Sequence, residues 1–176
     1  MSKNQNDSFD PIKNKIKESS LVILDLESYK PQNTVAGFDI APLLEKGLVA
    51  REDSFKANLE KIQWDDYTDQ HVAVHCSTSA ILPPWPFLMI ANKLQPVARS
   101  VGFGDQESYQ LELWENNIDS WDQEQFSGER IILKANKNVP HAIFLKAGYR
   151  LRSVVQTLMY GMPRNAVPIF KRKISN

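Results

Sequence analysis

Residues 83–104, PPWPFLMIANKLQPVARSVGFG, and residues 140–161, PHAIFLKAGYRLRSVVQTLMYG, align without a gap. Six of the 22 positions are identical: Pro83/Pro140, Phe87/Phe144, Leu88/Leu145, Leu94/Leu151, Val97/Val154 and Gly104/Gly161. Lys93/Arg150, Ser100/Thr157 and Phe103/Tyr160 are conservative pairs. In both stretches apolar residues recur every three or four positions and then give way to a short run of β-formers, which reads as a helix followed by a strand. Phe87, Ile90, Ala91, Leu94, Val97 and Ala98 share one helical face, as do Phe144, Ala147, Gly148, Leu151, Val154 and Val155. Pro96 should end or kink the first helix, because it cannot donate to the preceding turn. Ser153, at the matching position, should not.

Outward from this core the match continues. Residues 67–76 resemble 126–135 in pattern, so a strand precedes each helix. The strands are expected at 71–76, 100–104, 130–135 and 157–161, within approximate repeats 53–104 and 107–161. Strands separated by amphipathic helices pair in parallel through right-handed crossovers. Residues 167–171 follow Pro163 after a short loop and are expected antiparallel at an edge. Upstream, Leu21, Val22, Ile23 and Leu24 read as a buried strand, and 34–40 as a weaker one. Ala41 and Pro42 open a short helical turn ended by Gly47, and 48–50 returns to strand. Asp53 and Ser54 are expected to cap a helix running to Ile62. The fold class is α/β: a single domain over 20–173, internally duplicated, with a mostly parallel sheet and antiparallel edge strands. A polar segment, 1–19, precedes it and a short tail, 174–176, follows.

Composition sets outer bounds. Of 176 residues, 42% are hydrophobic and 24% charged, the balance of a chain that can fold around a core. The longest apolar run, 80–91, carries Pro83, Pro84 and Pro86 and is short of the about 20 residues that a membrane span needs. No membrane association is expected. One cysteine excludes an internal disulfide framework and a multi-thiolate site within one chain. The first ten residues lack the apolar core of a secretory signal, so the expected compartment is the cytoplasm.

The 21 basic and 21 acidic residues are segregated. Residues 105–129 hold eight acidic residues and no Lys or Arg; residues 130–176 hold ten basic residues and no acidic one. A basic half invites an anionic polymer, but no aromatic platform interleaved with Arg accompanies it. Nucleic acid is therefore the less favoured partner. Mutual neutralisation of the two halves is the simpler account.

In an open parallel sheet, ligands bind where loops leave the carboxyl ends of the strands. Those loops contribute Cys76, Ser77, Thr78 and Ser79, then Asp105, His141 and Arg164, as candidate ligand-binding residues. Cys76 and His141 are the candidate metal contacts. A helix N-terminus after Cys76 would lower its thiol pKa and welcome an anion. Each residue also has a plainer role. A lone Cys at a strand end is a small buried hydrophobe, Asp105 suits a helix cap near Ser108, and Arg164 can anchor a turn beside Pro163. His75 and Cys76 are adjacent on a strand and face opposite ways. His71 is expected to face solvent. Asp65, Asp66 and Asp69 lack calcium-loop spacing. GxGxxG, GxxxxGK[ST] and GxSxG are absent, so no catalytic residue and no cofactor is assigned.

Several segments together resemble a known family: FDI at 38–40, GLVARED at 47–53, VAVHCS at 72–77, LQPVA at 94–98, GFGD at 102–105, MYG at 159–161 and VPIFK at 167–171. The chain resembles, over roughly 20–173, the uncharacterised bacterial family termed domain of unknown function 2480. The resemblance implies a cytoplasmic accessory role beside iron–sulfur cluster assembly, with assembly proteins as partners. The family pattern has cysteines near two further positions, which here fall around Ala135 and Arg164. Only the cysteine at 76 is kept, which puts any thiol-based cluster binding in doubt for this chain.

Three readings of function stay open on the sequence. The leading one is a non-catalytic binding or accessory protein associated with iron–sulfur cluster or metal handling. The second is an enzyme acting on a small anionic substrate, with Cys76 as nucleophile or Arg164 as anchor. The third is a binder of anionic polymer through the basic half. A homodimer is compatible with each, since exposed edge strands need cover.

Overall fold

A computed structural model gives the fold, with residues 21–173 described. The expectations for 1–19 and 174–176 lie outside the described residues. In chain order the elements are β1 (Leu21–Leu24), β2 (Val35–Asp39), α1 (Glu52–Leu59), β3 (His71–His75), α2 (Trp85–Leu94), β4 (Ser100–Phe103), α3 (Gln106–Asp119), β5 (Arg130–Lys134), α4 (His141–Leu151), β6 (Thr157–Gly161) and β7 (Val167–Lys171). The fold is α/β, and all strand pairings but one are parallel.

The strands divide between two sheets, of order β2-β3-β4 and β1-β5-β6-β7. The chain divides accordingly into two compact units. The first is Glu27–Trp121; the second joins the residues up to Leu26 to those from Asp122 onward. Among the described residues no helix is long and apolar enough to cross a membrane.

In the first unit the three strands run parallel, with Val35 opposite His71 and His71 opposite Ser100. Parallel strands carry helices on their faces, so central positions are apolar on both sides; Val72, Ala73 and Val74 of β3 are all buried. The core gathers Phe38, Ile40, Phe55, Leu59, Ile90 and Leu94. Phe38 stacks on Trp64 with ring centroids 5.4 Å apart, and Phe55 meets Trp85 edge-on at 5.3 Å. The α3 helix packs on the other side: Tyr109 is buried with Val35 and Ala73 and donates its hydroxyl to Ser100 Oγ at 2.7 Å. Gly102 is what lets that ring approach, because a Cβ there would lie 2.1 Å from it. The alignment groups this helix with the second repeat, yet it packs on β2 and β3.

In the second unit β1, β5 and β6 are parallel and β7 returns antiparallel beside β6, as expected. Ile131, Ile132, Ile143, Ala147, Leu151 and Val155 are fully or almost fully buried. Both units thus contain strand, helix and parallel strand in the same order, β3-α2-β4 and β5-α4-β6.

Several local expectations are corrected. Leu21 and Ile23 are exposed; among the described residues β1 pairs with β5 alone, at the edge of its sheet. Residues 48–50 form no strand. Lys46 and Gly47 are left-handed, at φ 51° and 71°, and close a tight turn whose single bridge joins Glu45 to Val49. The α1 helix is capped at Arg51 rather than at Asp53 or Ser54, and it ends at Leu59, short of Ile62. Asp53 sits in its first turn, where a carboxylate suits the helix dipole. As expected, α2 ends just before Pro96, but α4 ends at the matched place although Ser153 was not expected to stop it. The two helices end at matched residues, Leu94 and Leu151, with or without a proline two positions on. Each leucine carbonyl accepts the next two free amides, from Val97 and Ala98 or from Val154 and Val155.

Gly102→Ala should cost about 1–3 kcal/mol, since the Tyr109 ring is buried and tied at its hydroxyl. Gly148→Ala, in α4 with open space around it, should gain about 0.5–1 kcal/mol. Urea unfolding of the two variants checks the pair; equal effects would contradict this packing.

Candidate functional site

The carboxyl ends of β2, β3 and β4 bring Asp39, His75, Cys76, Ser77 and Asp105 to one edge of the first sheet. Three parallel strands have no hairpins there, so the loops leaving them must be tied by side chains. Asp39 supplies the tie. Its Oδ1 accepts the amides of Ala41 and Ser77, each at 3.0 Å, and its Oδ2 accepts the Ser77 hydroxyl at 2.6 Å. Burial pushes this carboxyl up. The Ser77 hydroxyl, the Ala41 and Ser77 amides and the nearby His75 together outweigh it and hold the pKa below its ordinary value.

The neighbours are similarly engaged. Asp105 caps α3, accepting the Ser108 amide at 2.8 Å. That amide bond, then the Ser108 hydroxyl, the Glu107 amide and His75, lower its pKa against a smaller opposing effect of burial. Thr78 donates its hydroxyl to the Gly47 carbonyl at 2.6 Å, and Cys76 Sγ lies 3.3 Å from Thr78 Oγ1. Cys76 is half-buried and packs against the core around Phe38 and Val74. As expected from strand alternation, its side chain and that of His75 belong to different surroundings. Ser79 is exposed.

His141 and Arg164 do not leave this sheet. His141 is the exposed first residue of α4, and Arg164 lies in the exposed turn between β6 and β7, closed by the Asn165 amide on the Met162 carbonyl at 2.9 Å. Both belong to the second unit, so the four loops expected to share one edge come from two sheets. Among the described residues, no three His, Cys, Asp or Glu side chains converge as a metal set.

The second sheet has its own version of the tie. Asp25, just after β1, accepts Lys134 Nζ at 2.6 Å and Asn136 Nδ2 at 3.4 Å. In the alignment Cys76 matches Ala135, so Ser77 matches Asn136 and His75 matches Lys134. Each carboxylate therefore lies beside a basic residue and bonds to the loop two positions later. Sequence reasoning missed Asp39 and Asp25; an Asp at the end of a strand before Ala41-Pro42 is the one available signal, that of an Asx-turn. His71 is a further correction. It is half-buried, with Nδ1 2.6 Å from Ser100 Oγ, and burial and then Arg99 hold its pKa down.

The opposite character lies beside the tie. A groove of about 510 Å³ runs between α2 and β4, lined by Leu82, Phe87, Leu88, Ala91, Val101 and Phe103. Phe103 is 75% exposed, Leu88 68% and Ile81 98%. Phe87 holds Phe103 edge-on at 5.7 Å. In the second unit Phe144 holds Tyr160 in the same way at 5.4 Å.

Fold and site define an α/β protein whose edge carboxylates, Asp39 and Asp105, are tied to a loop and a helix start, with His75 Nδ1 buried and unpartnered between them, beside an open apolar groove. Residues 10–172 match the family model described as Protein of unknown function (DUF2480), and the chain belongs to that family. No curated protein and no solved structure matches it.

Asp39→Asn should cost about 1–3 kcal/mol at neutral pH, by weakening charge-assisted bonds to Ser77 and Ala41. The sign in acid follows from the lowered pKa. The stabilisation is present above the unfolded-state value and is lost as pH falls through the folded one. Urea unfolding from pH 7 down to pH 2 should therefore show wild type and Asp39→Asn converging. A constant gap would contradict the ionised tie.

Proposed function

We propose that this chain is a non-catalytic binding protein that docks another protein through the groove between α2 and β4, acting as an accessory in iron–sulfur cluster or metal handling. The observation that carries the docking reading is the contrast at one end of the first sheet. Asp39, Ser77, Thr78 and Asp105 are held by bonds to neighbouring loops, while Ile81, Leu88 and Phe103 stand in solvent. Exposed aromatic and aliphatic side chains grouped along a groove mark interaction surfaces. Carboxylates already bonded to amides and hydroxyls are poor general bases, because their lone pairs are occupied and their proton affinity is lowered.

The family resemblance supplies the partner class, the proteins that assemble iron–sulfur clusters. Cys76 is the chain's one thiol. Within the docking reading, Cys76 packs and the groove binds.

Anaerobically purified protein should be titrated with iron–sulfur assembly proteins, alongside Leu88→Lys and Cys76→Ser, with metal content and absorbance recorded on the same samples. The expected result is a complex weakened about tenfold or more by Leu88→Lys, as for a groove anchor, and unchanged by Cys76→Ser. Stoichiometric metal lost in Cys76→Ser, with no effect of Leu88→Lys, would move the function to the loop and contradict docking.

A further inference from the structure

The last parallel strand of each unit ends a sheet in a different way. In the second unit β6 is followed by a turn through Met162–Ala166, and β7 comes back along its free side. In the first unit β4 runs through Gly104, at φ 119°, directly into the Asp105 cap of α3. No strand covers the free side of β4 among the described residues. The other edge of that sheet, β2, has its Val35 carbonyl engaged by Gln106 Nε2 at 2.6 Å.

The free side of β4 carries backbone groups as well as side chains. The Gly104 amide donates to Val74 of β3. Since polar groups alternate sides along a strand, those of Gly102 also face β3, and those of Val101 and Phe103 face outward. Natural edge strands are usually blunted by charge, proline or a bulge. Ser100–Phe103 has none of these, and its outward residues are Val101, 39% exposed, and Phe103, 75% exposed.

The second unit shows what this edge takes. Its matched residues, Leu158 and Tyr160, lie opposite Phe170 and Val167 of β7: an aliphatic residue opposite an aromatic, and an aromatic opposite a valine. A strand completing β4 must then offer an aromatic to Val101 and a branched aliphatic to Phe103, running antiparallel. Strand β4 itself meets that requirement. Turned about a two-fold axis through Gly102, it sets Phe103 of one chain opposite Val101 of the other, twice, on the face that carries α2. The same register aligns the outward amides and carbonyls of both residues as two hydrogen-bonded pairs. Aromatic and β-branched residues directly opposite are favourable cross-strand pairs.

We propose that two copies of this chain associate through antiparallel pairing of β4 with β4, Gly102 opposite Gly102, forming one six-stranded sheet. The proposal deepens the docking reading, on which it rests, by naming a second copy as the occupant of this edge. The contact is isologous and closes at two copies, so it does not propagate into a filament.

The test is mass in solution of the full chain across the micromolar range, by light scattering and sedimentation. Wild type should be a dimer. Val101→Glu and Phe103→Lys should each raise the dimer dissociation constant about 30-fold or more and run as monomers. An equimolar mixture of the two should regain the dimer. In the mixed pair the introduced carboxylate faces the introduced ammonium, and the remaining Phe103 and Val101 still meet. Circular dichroism establishes that each variant folds, and Phe103→Ser serves as a milder replacement that should also give monomer. A monomeric wild type, dimeric single variants, or folded variants that fail to recombine would each overturn the proposal. A monomeric wild type whose binding to an assembly protein is still weakened by Leu88→Lys would overturn self-pairing alone. A dimer with the predicted recombination and no such binding would overturn the docking reading alone.

Discussion

A sheet made of parallel strands must finish somewhere, and its final strand then presents amides and carbonyls with no neighbour. That constraint shapes both units. In one, the chain turns back through Met162–Ala166 and satisfies the edge itself with β7, where Arg152 lies over the Phe170 ring at 3.5 Å. In the other, the chain leaves β4 for α3 at once, because Asp105 caps a helix there. The open groove beside β4 and the exposed Phe103 go with that difference in what comes after one glycine.

The polar residues at the carboxyl ends have a different duty. A hairpin-free edge needs side chains to fix its loops. Asp39 on Ser77 and Asp25 on Lys134 and Asn136 perform that task at matched positions of the two sheets, the first through an amide and a hydroxyl and the second through side-chain nitrogens. This arrangement keeps the Cys76 loop in place beside the core, while at the same edge His75 Nδ1 is buried without a hydrogen-bond partner.

Much of this was legible in the sequence, and the rest was hidden for definite reasons. The helix-then-strand pattern of 83–104 and 140–161 gave both α2-β4 and α4-β6, and the short loop after Pro163 gave the antiparallel β7. The cap at Asp105 could be read because Ser108 lies at the position whose amide such a side chain reaches. The division into two sheets could not. Local crossovers fix β3 beside β4 and β5 beside β6, but nothing local says that β1 joins β5, with some hundred residues between them along the chain, rather than β2. The grouping of His141 and Arg164 with Cys76 rested on a single sheet, whereas their loops leave a different one. The exposure of Phe103 was also hidden, because a parallel strand that is apolar on both faces reads as buried whether it is central or at an edge.

The most direct measurement of the account is residue-resolved amide hydrogen exchange in the β4 and β6 strands as a function of protein concentration. The account predicts that Leu158 and Tyr160 are protected at every concentration by β7, whereas Val101 and Phe103 exchange freely when dilute and become protected as concentration rises. Rapid exchange at Val101 and Phe103 that is indifferent to concentration would contradict it, as would protection there that persists in the dilute chain.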